Sequence, residues 1–379
     1  MEGFSFRLES SLDPIPEPDF PASEASVVLV FGLREHLEDP ALVANLKEAF
    51  PTARIAGAST AGEIHEYQFW SESVVGLAIR LAKSTCRMAE KTSHPEDDFA
   101  ALGAELGREL NADDLRLVLL FAEGLEVDCD LLLSGLTDSL KETDPLVFGG
   151  LAGDSLNFEN TALLTSEGLK PDGVIAIGFY GNDLEVRTAV SEKYSELGPL
   201  HEVTRADGNL LIEVDGRRAL DVFLEELGPG FRDVSEATES LFDFPMVFEN
   251  AEGGALFART PMYVDESEGA LLYAGSLPHD RFRIAKMQGN RDLLEGALEA
   301  ARKASMQGRE ELLFMVSCAA RRVALGVAVG AELDEVAPVF SPSLPAIGFY
   351  AYGEIGRSEG SGKAETLNHS FNLITCREA

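Results

Sequence analysis

GFYAYGEI at residues 348–355 follows the apolar lead-in LPAI, and the same frame occurs far upstream, where residues 57–64 read GASTAGEI. Both copies consist of an apolar run, a glycine, four further residues and then Gly-Glu-Ile. A looser copy, GGLAGDS, occupies residues 149–155 after the apolar run LVF. Glycine permits sharp turns and close approach of the backbone. The frame therefore predicts a buried strand that ends in a turn carrying an acid.

The repeated frame predicts two related halves, each presenting a glycine-acid turn. Glu63, Asp154 and Glu354 directly follow the last glycine of their copies. A carboxylate in that position would be held at the mouth of whatever the turn borders, which favours a binding role. A structural interpretation stays open beside it, because tight turns need glycine whether or not they bind anything.

Composition restricts the kinds of partner. The 379 residues include 65 acidic and 31 basic ones, a net charge of −34 at pH 7. Such a surface repels nucleic-acid phosphates and anionic lipid, so we expect neither nucleic acid nor membrane as a partner. A hydrophobic fraction of 45% is typical of a soluble globular protein. No signal peptide and no apolar run of ~20 residues is evident, so the expected location is cytoplasmic.

Cysteine and histidine do not predict a metal site. The four cysteines stand far apart without a CxxC pair, and the six histidines show no i, i+4 pairing. This pattern is typical of reduced, mostly buried thiols in a cytosolic protein. We expect neither a metal nor a cofactor.

Strand and helix patterns alternate through much of the chain. Residues 26–32 (SVVLVFG) read as a buried strand, and a helix follows with Asp39 as its N-cap and Pro40 at its first position. Closely spaced strands at 160–165, 173–180 and 184–190 predict an antiparallel meander. The fold class expected is α/β, with two related mixed-sheet domains and helices packed on the sheets.

The alternation of strand and helix patterns begins again near residue 198, so we place the expected domain boundary close to residue 195. We expect an extended, proline-rich lead-in over residues 1–25, an N-terminal domain over 26–195 and a C-terminal domain over 196–379.

No known catalytic constellation is present. The sequence has no GxxxxGK[ST] loop, no GxSxG elbow and no kinase signature. A strand at 311–318 ends in Ser317-Cys318, which makes Cys318 a weak candidate nucleophile, since a thiol needs a nearby base and a lowered pKa to attack. His369 is the local histidine that could serve. The other interpretation is a buried, inert Cys318.

The remaining polar residues suit ligand binding. Arg321 or Arg322, just past a strand end, could hold a carboxylate through its planar fork. The turn carboxylates could accept hydrogen bonds from an ammonium group. Tyr350 and Tyr352 lie on one side of an extended segment and could provide aromatic walls with polar tips. Each also has an ordinary interpretation: a solvated arginine, turn-closing carboxylates and half-buried core tyrosines.

Several short motifs follow one another in an order that resembles the FIST proteins, a family of prokaryotic sensory domains with an N-terminal and a C-terminal part. In the N-terminal part these are 28–32 with REH at 34–36, FPT at 50–52 leading into 55–64, and 148–154. In the C-terminal part they are VDG at 214–216, SCAAR at 317–321 and 348–356. Asn368 and His369 resemble the family's closing His-Asn pair, but in swapped order.

The resemblance covers residues 25 to 376 and implies a stand-alone cytosolic sensor. Its small ligand, with an amino acid as the expected class, would bind in a cleft between the two halves and signal to a downstream protein. An enzyme that uses Cys318 and a purely structural interaction module are the alternatives. The expected ligand-binding residues are Glu63, Asp154, Cys318, Arg321, Tyr350, Tyr352, Gly353, Glu354 and Asn368.

Overall fold

The computed structural model describes residues 1–192, 194–228, 244–249, 255–277, 280–287, 289–358 and 362–379. The strands, in chain order, are β1 (Glu2–Leu8), β2 (Val27–Gly32), β3 (Arg54–Ser59), β4 (Glu63–His65), β5 (Gln68–Trp70), β6 (Val74–Arg80), β7 (Thr85–Lys91), β8 (Leu115–Ala122), β9 (Leu146–Leu151), β10 (Leu163–Thr165), β11 (Gly168–Lys170), β12 (Val174–Tyr180), β13 (Leu184–Glu192), β14 (Tyr194–Asp207), β15 (Leu210–Val214), β16 (Arg217–Arg218), β17 (Met246–Glu249), β18 (Ala255–Arg259), β19 (Pro261–Asp265), β20 (Ala270–Tyr273), β21 (Arg281–Met287), β22 (Leu312–Cys318), β23 (Ala346–Ala351), β24 (Glu354–Gly356), β25 (Glu365–Leu367) and β26 (Ser370–Glu378). The α-helices are α1 (Arg34–Leu37), α2 (Pro40–Ala49), α3 (Phe99–Leu110), α4 (Cys129–Leu140), α5 (Ala219–Leu227), α6 (Asn290–Ala304), α7 (Ala319–Leu325) and α8 (Val329–Val336).

Three sheets share one strand pattern. The first sheet has the order β1-β6-β2-β3-β10-β11, the second β7-β12-β8-β9-β24-β25 and the third β13-β26-β22-β23-β4-β5. In each, two central strands run parallel: β2 with β3, β8 with β9, and β22 with β23. An antiparallel strand flanks the first member of each pair. The chain therefore repeats one structural unit three times.

Each unit gives a hairpin to another unit's sheet. After β3 the chain forms β4 and β5, which extend the third sheet beside β23. After β23 it forms β24 and β25, which extend the second sheet beside β9. After β9 it forms β10 and β11, which extend the first sheet beside β3. The exchange closes a ring, so each of these sheets depends on a segment from another unit.

A glycine in each unit allows its parallel strands to come very close. A β-carbon built on Gly57 of β3 would lie 1.7 Å from the carbonyl oxygen of Val30. The equivalent positions Gly149 and Gly348 would place theirs 1.9 and 2.3 Å from carbonyl oxygens of β8 and β22. Any side chain would collide with backbone there. The leading glycine of the sequence frame therefore serves strand packing.

The inner faces of the three sheets enclose one aromatic core. Phe31 stacks on Phe349 with ring centroids 4.5 Å apart and contacts Phe121 and Phe314 at 5.2 and 5.3 Å. All four side chains are fully buried and together come from all three sheets. Helix α2 covers the outside of the first sheet, α3 and α4 the second, and α6 to α8 the third. None of the described helices is long and apolar enough to cross a bilayer.

A fourth sheet is inserted between β13 and α6. Its order is β18-β17-β21-β14-β15-β20-β19, and β16 pairs with β15. Helix α5 packs on it around Phe223, Phe248 and Phe282. Arg259 of β18 joins it to the second sheet, donating to the carbonyl of Thr366 at 3.0 Å and contacting Asp130 of α4 at 2.6 Å.

The predicted α/β class is confirmed, with mixed sheets and helices packed on them, and the related units within the described residues number three. The predicted cap is also present, since the Asp39 side chain accepts the N–H of Ala41 at 2.9 Å. The predicted antiparallel meander is wrong. Strands β10, β12 and β13 follow one another closely in sequence but lie in the first, second and third sheets. Hairpin exchange takes β10 to β3, while β12 pairs with β7 and β8, and β13 pairs with β26.

The expected lead-in contains a paired strand. Residues 2–8 form β1 at the edge of the first sheet, antiparallel to β6. The domain boundary near residue 195 stays a prediction. His279 and residues 359–361 of the predicted Ser/Gly-rich loop lie outside the described residues.

Replacing Gly57 with alanine tests the close approach of the parallel strands. We expect Gly57→Ala to lower the free energy of unfolding by ~3 kcal/mol, at the upper end for overpacking, since the collision is with backbone. Gly330→Ala is the matched control, because that helical position has open space around it. It should be neutral or stabilise by up to ~1 kcal/mol. Urea denaturation measures the free energy of unfolding of both variants. Equal changes in the two would contradict the role of Gly57 in the close approach of the strands.

Candidate functional site

A cleft of about 530 Å³ lies between the fourth sheet and the three-sheet core. On the core side it is lined by the loop at 124–130 after β8, and by Tyr352 and Asn368. On the other side it is lined by residues 262–263 and 272–276 of the fourth sheet. Loops that follow strand ends and the junctions between bodies commonly carry ligand sites.

Asn368 is a buried polar residue in this cleft, with 2% of its surface exposed. Its Oδ1 accepts the N–H of Thr260 at 3.0 Å. That donor fixes the orientation of the amide, since an N–H must face an oxygen. The Nδ2 atom, a donor of two hydrogen bonds, has no partner within the described residues.

Tyr273 of β20 adjoins the cleft from the fourth sheet. Its side chain is 1% exposed and is buried in that sheet's own core with Leu271 and Phe223, while the next residue, Leu272, is only partly buried and lines the cleft. Its hydroxyl has no hydrogen-bond partner in the described part of the chain, and burial raises the pKa of Tyr273 well above its usual value. The Tyr273 hydroxyl and Asn368 Nδ2 are both shielded from solvent, so neither is open to the cleft.

The turn that carries Asn368 is held from behind by two predicted site residues. His369, next in the chain, has a left-handed φ of 59°. Arg321 donates to the His369 carbonyl at 3.3 Å. Glu354 accepts the N–H and the hydroxyl of Ser370 at 3.1 and 2.8 Å. Arg321 and Glu354 are thus positioned to fix the turn rather than to touch a molecule in the cleft.

Arg321 is fully buried and already paired. Its Nε lies 2.9 Å from Glu332 of α8, its Nη2 contacts the same carboxylate, and Nη2 also donates to the Leu293 carbonyl at 3.1 Å. Ser317 donates to the second oxygen of Glu332 at 3.1 Å. Removing one member of such a buried pair typically costs ~3–5 kcal/mol. The guanidinium fork expected to hold a ligand carboxylate is therefore occupied by a protein carboxylate.

Cys318 is buried against Glu354. Burial, followed by the charge of Glu354, raises the pKa of the Cys318 thiol well above its usual value, although the N–H of Ala320 and a backbone contact with His369 partly offset this. Catalytic thiols show the opposite shift, because attack requires thiolate. Burial also lowers the pKa of His369 to about 3. The observed environment does not activate this cysteine.

Glu63 has a setting equivalent to that of Glu354 but lies away from the cleft. Glu63 is the first residue of β4, as Glu354 is of β24. Each lies just after the chain has passed from its own unit's sheet to the sheet of another unit. Glu63 accepts from Thr60 at 2.6 Å and from the N–H and hydroxyl of Ser73 at 3.2 and 3.1 Å. Burial raises its pKa to about 7. This equivalence supports the duplication inferred from the sequence frame.

Asp154 organises the loop at the cleft mouth. Its carboxylate accepts the N–H groups of Phe158, Glu159 and Asn160, each at 2.8 Å, and the hydroxyl of Tyr352. Burial alone would raise the pKa of Asp154, but these hydrogen bonds lower it. Ser155, Leu156 and Phe158 all have positive φ. Left-handed conformations of this kind cost free energy and concentrate at functional sites.

Aromatic side chains form the outer wall of the cleft. Tyr352 and Phe158 stack with ring centroids 4.4 Å apart. Phe158 is 36% exposed, and Tyr263, which also lines the cleft, is 61% exposed. Exposed aromatic rings around a concavity are typical of binding surfaces.

The rim of the cleft is acidic. Glu126, Asp128 and Asp130 line it, and the described lining residues include no lysine, arginine or histidine. Arg259 lies behind the wall with its donors engaged: it contacts Asp130 and donates to three backbone carbonyls. Its charge is therefore already balanced. Among the described residues no group of three or more His, Cys, Asp and Glu side chains could hold a metal ion.

The structure brings seven of the nine predicted site residues to one region. Tyr352 and Asn368 line the cleft, Asp154 and Gly353 adjoin Tyr352, and Cys318, Arg321 and Glu354 stand behind Asn368. Tyr350 and Glu63 do not line the cleft, although Tyr350 lies close to Arg321 and Glu332. Tyr350 lies within β23 and is fully buried beside Phe69. Because β23 ends at Ala351, Tyr352 lies outside the strand and takes a different direction. Whether any of the nine contacts a ligand stays a prediction.

Sequence reasoning did not find the fourth-sheet wall. Thr260 and Tyr263 lie in and beside an ordinary strand pattern, and their place at the cleft depends on long-range docking. The acidic stretch at 124–130 had a detectable signal, since Gly124 comes two residues after the end of a buried strand and Asp128 caps a helix, accepting from Leu131 at 3.0 Å. Loops at that position commonly bind ligands.

Comparisons with known proteins show a family and a distant structural likeness. The FIST N domain model matches residues 26–217, and the FIST C domain model matches residues 219–357. No curated protein matches the chain. Among solved structures, a cyanuric acid hydrolase is 11% identical over 99% of both chains with a TM-score of 0.36. The cyanuric acid hydrolase from A. caulinodans is 9% identical at the same coverage and TM-score.

The substitution Tyr352→Phe tests whether the Tyr352 hydroxyl anchors the loop at residues 154–160. The Tyr352 hydroxyl contacts Asp154 and accepts the N–H of Leu156 at 3.0 Å, so its removal leaves both groups without that partner. We expect a loss of ~1–3 kcal/mol and faster proteolysis within 155–160. Tyr263→Phe, whose exposed hydroxyl makes no hydrogen bond to a described residue, should leave both unchanged. Identical proteolysis of the two variants would contradict the anchoring role.

The substitution Glu354→Gln, studied as a function of pH, tests whether the buried Glu354 carboxyl is protonated in the folded protein. Burial raises the pKa of Glu354 from 4.5 to about 8. The folded state therefore keeps the proton to about pH 8, while the unfolded chain releases it above 4.5. The resulting stability is complete below pH 4.5 and is lost as pH rises through 8.

The variant should therefore gain stability relative to the natural protein as pH rises from 5 to 9, by ~1.4 kcal/mol per unit of pKa shift. Chemical denaturation at several pH values measures this. Glu48→Gln, at an exposed site, should show a constant difference. A constant difference for Glu354→Gln as well would mean that Glu354 is ionised in the folded protein.

Proposed function

Because the chain belongs to the FIST family, whose domains are in general small-ligand sensory domains, we propose that this protein is a sensor that takes its ligand into the cleft between the fourth sheet and the core. One observation carries the proposal: aromatic rings line the same cleft from both bodies, with Tyr352 and Phe158 on the core side and Tyr263 on the fourth sheet. A ligand that packs against both walls would join the two bodies.

The size and shape of the cleft support this function. A volume of about 530 Å³ falls within the ~300–1,000 Å³ range of small-molecule sites. Its two sides belong to different bodies, and its core side is fixed by the Arg321–Glu332 pair and the exchanged hairpins. Binding between two bodies can shift their relative position, which is a common way for a sensor to pass on occupancy.

The remaining parts of the proposal concern partners and location. We propose a downstream signalling protein as the partner that reads ligand occupancy, and the cytoplasm as the location. The four cysteines are unpaired thiols, as in a reducing compartment. An amino acid, the class expected from the resemblance, is included in the test below. No observation favours the alternative in which Cys318 attacks a substrate.

A thermal-shift screen of metabolites, amino acids included, tests the proposal. A ligand at one hundred times its dissociation constant should stabilise the protein by ~2.7 kcal/mol, seen as a raised Tm. Tyr263→Ala should greatly reduce that shift, because the Tyr263 ring lines the cleft. The same variant should change the stability of the free protein little, since Tyr263 is 61% exposed.

Asn111→Ala, at an exposed helix end outside the cleft, is the matched control and should keep the full ligand shift. A ligand whose Tm shift survives Tyr263→Ala unchanged would place the binding site elsewhere. No shift from any compound across a broad screen would count against the sensory function.

A further inference from the structure

The fourth sheet is attached to the rest of the molecule through a two-stranded ribbon. The chain enters the sheet from β13 into β14 and leaves it from β21 into α6. Tyr194 of β14 pairs with Met287 of β21, so the two connections lie side by side. The pairing of these strands shifts between Leu197 and His201, where Gly198 has a φ of 64°. Such irregularities bend strands, so the ribbon has the form of a hinge.

Polar contacts seat this sheet on the core, and we call them the seam. On the core side they come from the start of α4 and from residues 366–368. These core residues also line the cleft, so the state of the seam sets how far the cleft is open. The seam consists of Arg259 with Asp130 at 2.6 Å and with the Thr366 carbonyl at 3.0 Å, the Thr260 N–H with Asn368 at 3.0 Å, and the Ser276 hydroxyl with Asp128 at 2.5 Å.

Several polar atoms along the seam are buried without being paired. The hydroxyls of Thr260 and Thr366, the Nδ2 atom of Asn368 and one carboxyl oxygen of Glu192 are shielded from solvent and have no hydrogen-bond partner within the described residues. A buried polar group without a partner costs free energy that hydration recovers. Closing the seam therefore carries a cost that offsets part of its ion pair and hydrogen bonds. A contact of this kind is suited to open and close.

Glu192 lies where the hinge and the seam meet. It is the last residue of β13, opposite the neutral Ser370 of β26. Among the described residues, the charges that act on it are those of Glu365 on β25 and Arg259 on β18. Arg259 is already paired with Asp130. An ionised Glu192 would therefore repel Glu365 and compete with Asp130 for the same guanidinium group.

The protonation of Glu192 depends on whether the seam is closed. Burial, followed by the charge of Glu365, raises the pKa of Glu192 from 4.5 to about 7, and Arg259 partly offsets this. Once the seam opens, water reaches the carboxyl and its pKa returns towards 4.5. The closed form therefore keeps a proton that the open form releases. Closure is strongest below pH 4.5, weakens as the pH rises and levels off above pH 7.

From the ribbon, the seam and the position of Glu192 we propose that the fourth sheet is a hinged body over the cleft, and that the charge on Glu192 controls its seating. Neutral Glu192 leaves Arg259 to Asp130, and the sheet stays seated. Ionised Glu192 disturbs that pair and the sheet swings away, which opens the cleft. This control acts on the body that carries one wall of the cleft, and it does not depend on which ligand the cleft binds.

Thiol labelling measures the opening of the seam. Cys129 is 4% exposed and lines the cleft, with Thr366 and Arg259 close to its thiol. Cys376 is the reference, because it is also 4% exposed but lies in the central core. 4,4′-Dithiodipyridine reacts with thiols at acidic and neutral pH, and peptide mass spectrometry assigns the label. At every pH we expect Cys129 to react faster than Cys376, since opening the seam does not require unfolding of the core.

Glu192→Gln removes the ionisation while keeping the shape of the side chain. The ratio of Cys129 labelling rates, natural protein over variant, should rise about tenfold or more between roughly pH 5.5 and 8, since only the natural side chain loses a proton. Comparing rates at the same pH cancels the pH dependence of the thiol itself. Glu90→Gln is the matched control, because burial also raises the pKa of Glu90, but Glu90 lies on β7, at the opposite edge of the second sheet from β25. The corresponding ratio for that variant should stay constant.

Glu365→Gln gives a second test if Glu192→Gln does not fold. Removing the charge of Glu365 makes ionised Glu192 less costly in the closed form, so Cys129 should react several-fold more slowly in this variant than in the natural protein at pH 8. An unchanged rate would contradict the control by Glu192, as would a natural-to-Glu192→Gln ratio that does not vary with pH. Equal labelling of Cys129 and Cys376 at all pH values would overturn the hinged body itself, because the sheet would then open only when the core unfolds.

Discussion

The close approach of parallel strands at Gly57, Gly149 and Gly348 is the constraint on which the rest of the structure depends. At each site a carbonyl oxygen of the neighbouring strand occupies the space of a β-carbon. The strand then ends within a few residues, and the second glycine of the frame passes the chain to another sheet. Because all three units do this, their sheets share strands. Close backbone packing and hairpin exchange are thus two consequences of one repeated sequence frame.

Hairpin exchange also explains why the candidate site has a rigid side. The turn at residues 368–369 joins β25, which belongs to the second sheet, to β26, which belongs to the third. Arg321 and Glu354 hold this turn from the third unit, while Thr260 of the fourth-sheet region holds the Asn368 amide. Asn368 therefore sits where three bodies meet. The orientation of its side chain is therefore fixed by contacts that come from different parts of the chain.

The sequence predicted the α/β class, the glycine-acid frame and the Asp39 cap, because each depends on local periodicity or on one residue's backbone preference. It did not predict the strand exchange, since sheet pairing such as β4 with β23 joins residues nearly 300 positions apart in the chain. Arg321 shows the same limit: whether it faces solvent or Glu332 depends on how α8 packs. Tyr350 and Tyr352 were expected side by side, but the strand ends between them, and only Tyr352 reaches the cleft.

A sensor must also connect its ligand to the rest of the molecule, and the chain path suggests how. The fourth sheet enters from β13 at the edge of the third sheet and returns through β21 to α6, which packs on the same sheet. A shift of the fourth sheet on binding would therefore act on β13 and α6 together. The other cleft wall belongs to the body that the aromatic core and the exchanged hairpins hold together. Ligand binding would therefore mainly change the outer face of the third sheet, where α6, α7 and α8 lie. Val323 and Val327 are exposed there, and a partner that reads this face would sense the cleft without touching it.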